Sequence, residues 1–459
     1  MKINLIITLL FALNLLYLHA AEKPNIIIIF TDDMGYSDIG PFGNKTHSTP
    51  HLDRMAAEGQ KLTDFYVSSS ACTPSRASLV TGTFAERIGM GTSVVFHGDK
   101  RGLNPSEITI AEVLRDAGYT TGCFGKWHLG DAPEFMPLSQ GFDIYEGIPY
   151  SNDMWVKGNK KRNFSPLAYM RQDEAIAHVP DAESQVALTP AYTDAAIKFI
   201  QNNKDRPFFA YIPHSAPHVP WFASGVDPKE GVEKAYSGVI ADIDRSVGRI
   251  LKTLRELNLD KKTLVIFTND NGGFGKSQSG PLKGHKFGPK YEGHMRVATL
   301  TWWPGKIPAG SKSSENGTTV DLLPSLAKIC GGKTPADRLI DGKDISSILL
   351  GKADAKSPHE NHYYESDGLR QGKWKLVRQR SKGKVFEELY NLDSDLGESK
   401  NLANQYPEKL QSMKEVLDKH ALDIKTNQRL AGFTENPKVI LSKDEAKKLP
   451  TLYELRSKK

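Results

Sequence analysis

Apolar positions along the chain follow two spacings that alternate from about residue 25 to residue 330. "NIIIIF" (25–30) is an unbroken, largely β-branched run, the pattern of a strand covered on both faces. "YTTGCF" (119–124), "PFFAYI" (207–212) and "TLVIF" (263–267) are short runs of the same kind. Between them lie stretches with apolar residues on one helical face, such as "TIAEVLRDAG" (109–118) and "VIADIDRSVGRILKTLRELN" (239–258). Strands alternating with helices predict an α/β fold, a large mostly parallel sheet flanked by helices. The pattern changes near residue 335. "HYYES", "KWKLVRQ" and "VFEELYNL" read as short alternating strands, and "PEKLQSMKEVLDKHALDIK" reads as one helix. Residues 335–459 are therefore expected to form a smaller C-terminal α+β domain after a catalytic domain over 22–334. The last stretch, "SKDEAKKLPTLYELRSKK", is charged and is expected at the periphery.

The N-terminus adds an address. Lys2 precedes an almost wholly apolar run over 4–18, and Ala20 and Ala21 follow. This is the layout of a cleavable secretory signal over residues 1–21, and the run is shorter than the ~20 residues a membrane span needs. The mature protein is expected to be secreted or periplasmic, with no membrane span. Sixty Lys and Arg against 54 Asp and Glu leave a net charge of +6 over 459 residues. That weak balance gives no footing for a nucleic-acid partner and does not oppose an anionic substrate. Three cysteines, Cys72, Cys123 and Cys330, leave at least one unpaired in an oxidising compartment, which argues against a disulfide framework.

Each of the four strand-like runs leads straight into polar residues. The first is followed by "TDDMG" with Asp32 and Asp33, the second by "GKWHLG" with Lys126 and His128. The third is followed by "PHSAPH" with His214 and His218, the fourth by "TNDNGG" with Asp270 and Asn271. Ligands of open α/β sheets bind beyond the carboxyl ends of the strands, so the four ends are expected to share one crevice. Asp32, Asp33, Asp270 and Asn271 are hard oxygen donors, suited to Ca²⁺ or Mg²⁺ and poorly to Zn²⁺. Turn-forming Asp and Asn with solvated side chains are the plainer alternative for each motif taken singly. Lys126 and His128 would supply positive charge and a proton shuttle beside such a cation.

Cys72 sits in "SSSACTPSRASLVTG" (68–82). Pro74 suits the first turn of a helix, which places Cys72 at a helix N-terminus. Backbone N–H groups and the helix dipole favour an anion there, and Arg76 adds a fork of donors one turn on. A nucleophile attacking an oxyanion ester would be well placed at this position.

The motif Cys72-Thr-Pro-Ser-Arg76 followed by "LVTG" resembles the signature of the type I sulfatases, whose cysteine is oxidised to Cα-formylglycine. "GYTTGCFGKWHLG" (118–130) resembles the second signature of that family. "TDDMGYSDIG", "SAPHVP", "FTNDNGG", "PLKGHKFGPKYEGHMRV" and "ELYNLDSDLGESKNL" follow in family order, and "GIPYSND" (147–153) resembles the arylsulfatase A branch. The resemblance implies the alkaline-phosphatase-like fold. It also implies a Ca²⁺ site (Mg²⁺ as the alternative) made by Asp32, Asp33, Asp270, Asn271 and formylglycine 72. Arg76 would hold the formylglycine and Lys126 would bridge nucleophile and sulfate. His128 would take a proton from the second hydroxyl of the hydrated aldehyde. His218 and Lys286 would contact the sulfate near the leaving oxygen, with Ser151 also against the sulfate.

Two departures from the family stand out. The segment carrying Lys286 is one residue longer than the usual pattern, so Lys286 is chosen over Lys283 and Lys290. His294 stands where the family commonly has glycine. Cys123 and Cys330 are expected to be buried filler. The implied activity is an exported sulfatase acting on sulfated small molecules or glycans, matured by a formylglycine-generating or anaerobic sulfatase-maturating enzyme. The rivals are a phosphodiester or phosphonate monoester hydrolase of the same superfamily, and a non-catalytic sulfated-glycan-binding protein if Cys72 stays unmodified. The loop "SNDMWVKGNKKRNFSP" (151–166), with four Lys or Arg, suits a polyanionic glycan and equally a solvated surface.

Overall fold

The computed structural model describes residues 23–458 apart from 160 and 438, so the segment 1–21 read as a signal lies outside the described residues. Ten strands form one mixed sheet: β1 (Asn25–Thr31), β2 (Gln60–Leu62), β3 (Thr120–Lys126), β4 (Ile144–Ile148), β5 (Ala168–Arg171), β6 (Glu174–His178), β7 (Phe208–Pro213), β8 (Thr263–Asn269), β9 (Thr299–Trp302) and β10 (Ser311–Ser313). Their spatial order is β10-β2-β9-β8-β1-β7-β3-β4-β5-β6. The central five, β8-β1-β7-β3-β4, are parallel. Antiparallel pairs extend the sheet on both sides.

The unbroken apolar run of β1 has a direct cause. Successive side chains of a strand point to opposite faces, and both faces of this sheet are covered. Ile26, Ile28 and Phe30 join one core and Ile27 and Ile29 the other, all fully buried. On the first side lie α2 (Cys72–Thr81), α3 (Ile110–Asp116) and α6 (Leu322–Cys330); on the second, α1 (Pro50–Glu58), α4 (Ala182–Asn202) and α5 (Val232–Glu256). Thr109 caps α3 in a reciprocal box with Glu112. Helix α5 starts at Val232, earlier than the 239 expected from sequence. Gly238 within it is a close-approach site: a Cβ there would lie 2.6 Å from the Ala223 side chain.

A four-stranded antiparallel sheet follows, β11 (His362–Tyr363), β12 (Gly368–Gln371), β13 (Trp374–Ser381) and β14 (Lys384–Asn391), packed on α7 (Pro407–Thr426). The terminal stretch 442–458 is largely exposed, as expected, but is anchored at a few points: Thr451 bridges His178, Ala446 is buried, and Leu452, 1% exposed, packs with Tyr169 and Tyr192. Its charged residues mask these few anchoring positions in the sequence. Just ahead of it, Gly432 pairs with Gly102 and Phe433 with Arg101. Among the described residues no helix is long and apolar enough to cross a membrane.

Candidate active site

Strands β1 and β8 run side by side with Thr31 opposite Asn269. Their polar extensions therefore meet beyond the sheet edge. The Asp33 N–H donates to Asp270 Oδ1 (3.2 Å), the Asp270 N–H donates to the Thr31 carbonyl (3.0 Å), and Asn271 Nδ2 donates to Asp33 Oδ1 (2.8 Å). Asp33 is in the left-handed region (φ 66), which turns its carboxylate across the strand ends. At the end of β3, Gly125 (φ 143) lets the chain pass β7: a Cβ would sit 2.0 Å from the Pro213 carbonyl oxygen.

Cys72 is the first residue of α2, a helix buried throughout. Its Sγ lies 3.3 Å from Asp32 Oδ1 and 2.9 Å from Lys286 Nζ. Burial, with Asp270 and Asp32 nearby, pushes the Cys72 thiol well above its ordinary value, so an unmodified cysteine is a neutral thiol here. One turn on, the fully buried Arg76 bonds Asp270 Oδ2 through Nε (3.2 Å) and Nη2 (2.9 Å), and donates to the Lys126 carbonyl (3.0 Å). Lys126 Nζ pairs with Asp32 Oδ2 and donates to Ser151 Oγ at 3.1 Å.

Burial opposes ionisation of Asp32, but Lys126, His218, Arg76 and Lys286 together hold its carboxyl well below the usual range. Burial and the Asp32 charge push Asp270 up to about 7. Burial also works against a charged Lys286, yet the Asp33 and Asp32 carboxylates keep it well above the ordinary lysine value. Lys286 Nζ is 2.7 Å from Asp33 Oδ1.

The histidines separate by geometry. His218 Nδ1 is tied to the Val219 carbonyl (2.7 Å), leaving Nε2 toward Asp33 Oδ2 at 3.4 Å. His128, also in the left-handed region (φ 63), donates from Nε2 to the Val95 carbonyl (2.9 Å), which leaves Nδ1 buried and without a partner. Burial, then Lys126 and Arg76, push His128 well below its ordinary pKa, so Nδ1 is an unprotonated acceptor at neutral pH. His214 faces away from the cavity. It bonds Ser246 Oγ (3.1 Å), packs on Tyr192, and burial pushes it down to about 4. A cavity of about 260 Å³ opens onto Cys72, Asp33, His128, Ser151, His218 and Lys286.

Asp32, Asp33, Cys72 and His218 each bring a donor atom to within 4.8 Å of the others. Asp33 Oδ2 and Asn271 Oδ1 are buried without a hydrogen-bond partner. Orphaned buried oxygens beside crowded carboxylates fit a hard divalent cation, which would satisfy both at once. Asp270 stands just outside that group, with both its oxygens engaged by Arg76 and the Asp33 N–H. The donor set, the lysines and the helix N-terminus together can bind a tetrahedral oxyanion over residue 72 and exchange protons with it.

Several supporting contacts have no local signal in the sequence. Glu365, in left-handed backbone (φ 53), accepts from Ser69 Oγ (2.7 Å) and the Ser70 N–H (3.1 Å), just ahead of Cys72, and pairs with Lys290 (2.7 Å). Buried Lys375 of β13 joins Glu292 (2.8 Å) and Glu398 (3.0 Å), while Lys283 donates to the Glu398 carbonyl (3.0 Å). The C-terminal sheet thus grips both the approach to Cys72 and the loop bearing Lys286. His294 fills a slot that Gly284 leaves open: a Cβ on Gly284 would lie 2.0 Å from the imidazole. Cys123 and Cys330 are buried and form no disulfide.

Residues 24–332 match the family described as Sulfatase, and residues 287–427 match N-sulphoglucosamine sulphohydrolase, C-terminal. The chain is 35% identical to human (Homo sapiens) arylsulfatase A over 451 residues, covering 87% of this chain and 88% of that one. It is 36% identical to Rattus norvegicus N-acetylgalactosamine-6-sulfatase over 369 residues, covering 76% and 70%. Among solved structures, Ps i-CgsB in complex with k-i-k-neocarrahexaose superposes with a TM-score of 0.77 at 28% identity, over 89% of this chain and 95% of that one.

Proposed function

The chain belongs to the sulfatase family and hydrolyses sulfate esters, and from that premise we propose that it is an exported, formylglycine-dependent enzyme that removes sulfate from carbohydrates with a bound Ca²⁺ or, as a substitute, Mg²⁺. The crowding of Asp32, Asp33, Cys72 and His218 within 4.8 Å, beside Lys126 and Lys286, carries this reading. The carbohydrate class is supported by the ligands for which the N-acetylgalactosamine-6-sulfatase relative and the neocarrahexaose complex are named. It is also supported by Arg162, whose guanidinium lies 3.5 Å from the centre of the Phe96 ring at the cavity wall. The segment 1–21 would direct export, residues 22–334 would carry the chemistry and 335–459 the smaller domain. A maturating enzyme would convert Cys72.

Formylglycine at position 72 would supply a hydrated aldehyde, one hydroxyl of which attacks sulfur while the other expels sulfate afterwards. A cation held by Asp32, Asp33, Asp270, Asn271 and residue 72 would lower the attacking hydroxyl's pKa and offset sulfate charge. The remaining work falls to the chain's own groups. The α2 N-terminus and Arg76 fix residue 72 and favour negative charge there. Lys126, Lys286 and Ser151 hold sulfate oxygens, and their fixed charge counts most as negative charge builds in the transition state. His218 Nε2 gives a proton to the departing ester oxygen. His128 Nδ1 takes the proton of the hydroxyl left on residue 72.

The test compares kcat/KM of one matured preparation on a sugar sulfate, a phosphodiester and a phosphonate monoester, before and after chelation. Sulfate turnover should dominate, vanish on chelation and return better with Ca²⁺ or Mg²⁺ than with Zn²⁺. Dominant phosphodiester or phosphonate turnover would overturn the assignment of substrate, and full restoration by Zn²⁺ alone would overturn that of the ion.

A further inference from the structure

Phe287 directly follows Lys286 and has left-handed backbone (φ 64), where a bulky side chain is out of place. Gly288 beside it has the same hand of backbone (φ 80) at no such cost. Despite the strain, the Phe287 ring is 50% exposed, so no core packing holds it there. Two backbone bonds do: Lys286 N–H to the Gly273 carbonyl (2.8 Å) and Phe287 N–H to the Ser70 carbonyl (3.2 Å). The first ties the segment bearing Phe287 to the one bearing Phe274, itself 41% exposed and anchored by its N–H to the Asp33 carbonyl (3.2 Å). Both rings line the cavity above Cys72. Strained backbone that persists at a site mouth is a pointer to function.

The cavity is divided by chemistry. Buried Asp33, Cys72, Ser151 and Lys286 line its floor and face a sulfate, while the exposed Phe274 and Phe287 stand at its mouth, with Phe96 and Asp153 also on its wall. A sulfate ester seated on the floor must project its alcohol between those rings. Resting on the carbohydrate reading above, we infer that Phe287 and Phe274 form the specificity subsite for the leaving group, binding the C–H face of the pyranose that carries the sulfate. Apolar rings with a few polar groups below them are the usual make-up of a small-molecule site.

The test uses full-length matured enzyme and the variants Phe287→Gly, Phe287→Trp and Phe274→Ala. Substrates are monosulfated galactose and N-acetylgalactosamine in each regioisomer, with nitrophenyl sulfate as the aryl comparison and inorganic sulfate as a competitive probe of the floor. Glycine relieves the left-handed backbone, so Phe287→Gly should keep its melting temperature. Its KM for the preferred sugar sulfate should rise about tenfold, as expected for losing one aromatic contact, while inhibition by inorganic sulfate stays unchanged. Phe287→Trp should restore KM, and Phe274→Ala should behave as Phe287→Gly does. An unchanged KM in Phe287→Gly, or a parallel weakening of inorganic sulfate, would overturn the subsite alone. A wild type that cleaves nitrophenyl sulfate but no sugar sulfate would overturn the carbohydrate reading and the subsite with it.

Discussion

Lys286 Nζ lies 2.9 Å from Cys72 Sγ, although the two residues are 214 positions apart. The neighbouring lysines are committed elsewhere. Lys283 sits 3.7 Å from the Tyr291 ring centre and donates to the Glu398 carbonyl, and Lys290 pairs with Glu365. Lys286→Met should therefore lower kcat by about 10²–10³-fold, the usual cost of removing one oxyanion donor. Lys283→Met should cost about 1 kcal/mol of stability and leave kcat close to wild type. Steady-state kinetics and melting temperatures on the two variants check this, and the reverse order would reassign the sulfate-binding lysine.

The two active-site-proximal histidines of the "PHSAPH" segment should differ in kind. His218 Nε2 faces the cavity and His214 is buried against Ser246. His218→Ala should lose ~10²–10⁴-fold in kcat/KM on a sugar sulfate, the range for general acid–base catalysis, and clearly less on an aryl sulfate whose leaving group needs little protonation. His214→Ala should affect both substrates alike. An equal loss on both substrates for His218→Ala would make that residue a sulfate binder and not an acid.

Glu365 reaches from the C-terminal sheet to the Ser70 N–H, two residues ahead of Cys72. Its effect on catalysis passes through the nucleophile's placement, so kcat should fall and KM should hold. Glu365→Ala should lose about tenfold in kcat, on the scale of one charge-assisted hydrogen bond. Glu365→Gln keeps an oxygen for the Ser70 N–H and should recover most of that loss. Equal kinetics for the two variants would show that the carboxylate does not position the segment.

Acid should destabilise the fold through histidines held neutral inside it. Burial pushes His214 and His420 down to about 4 and His294 down to about 3. The unfolded chain binds these protons near pH 6.5 and the folded one does not. The stabilisation is therefore complete above that pH and is lost as pH falls from 6.5 toward 4, by up to about 1.4 kcal/mol per pH unit for each group. His420 stacks on Tyr363, 3.7 Å between ring centres, away from the cavity. His420→Gln should flatten the fall in unfolding free energy between pH 6.5 and 4 by one such increment. A slope identical to wild type would refute the assignment.

What the sequence makes legible follows from how local the cause is. The strands of the central sheet are legible because burial on both faces demands apolar residues at every position, as in Ile26–Phe30. The polar strand ends follow from the same runs. That β1 lies next to β8 is not legible, since Asp33 and Asp270 meet across 237 positions. The family motif names the candidate groups and picks Lys286 over Lys283 and Lys290 despite the extra residue in that segment. Glu365 and Lys375 have no local signature at all: each reads as one charged residue in a short strand region, and only tertiary packing brings it to the site. His294 is legible as a departure from the family, yet its fit depends on the missing side chain of Gly284.

Whether residue 72 works as formylglycine is read from the mass of the peptide containing it, taken from a preparation that turns over a sulfate ester. Conversion of Cys72 should lower that mass by about 18 Da relative to the cysteine form, and the converted fraction should track specific activity across preparations. A fully active preparation in which the peptide keeps the mass of unmodified cysteine would show that formylglycine is not the nucleophile.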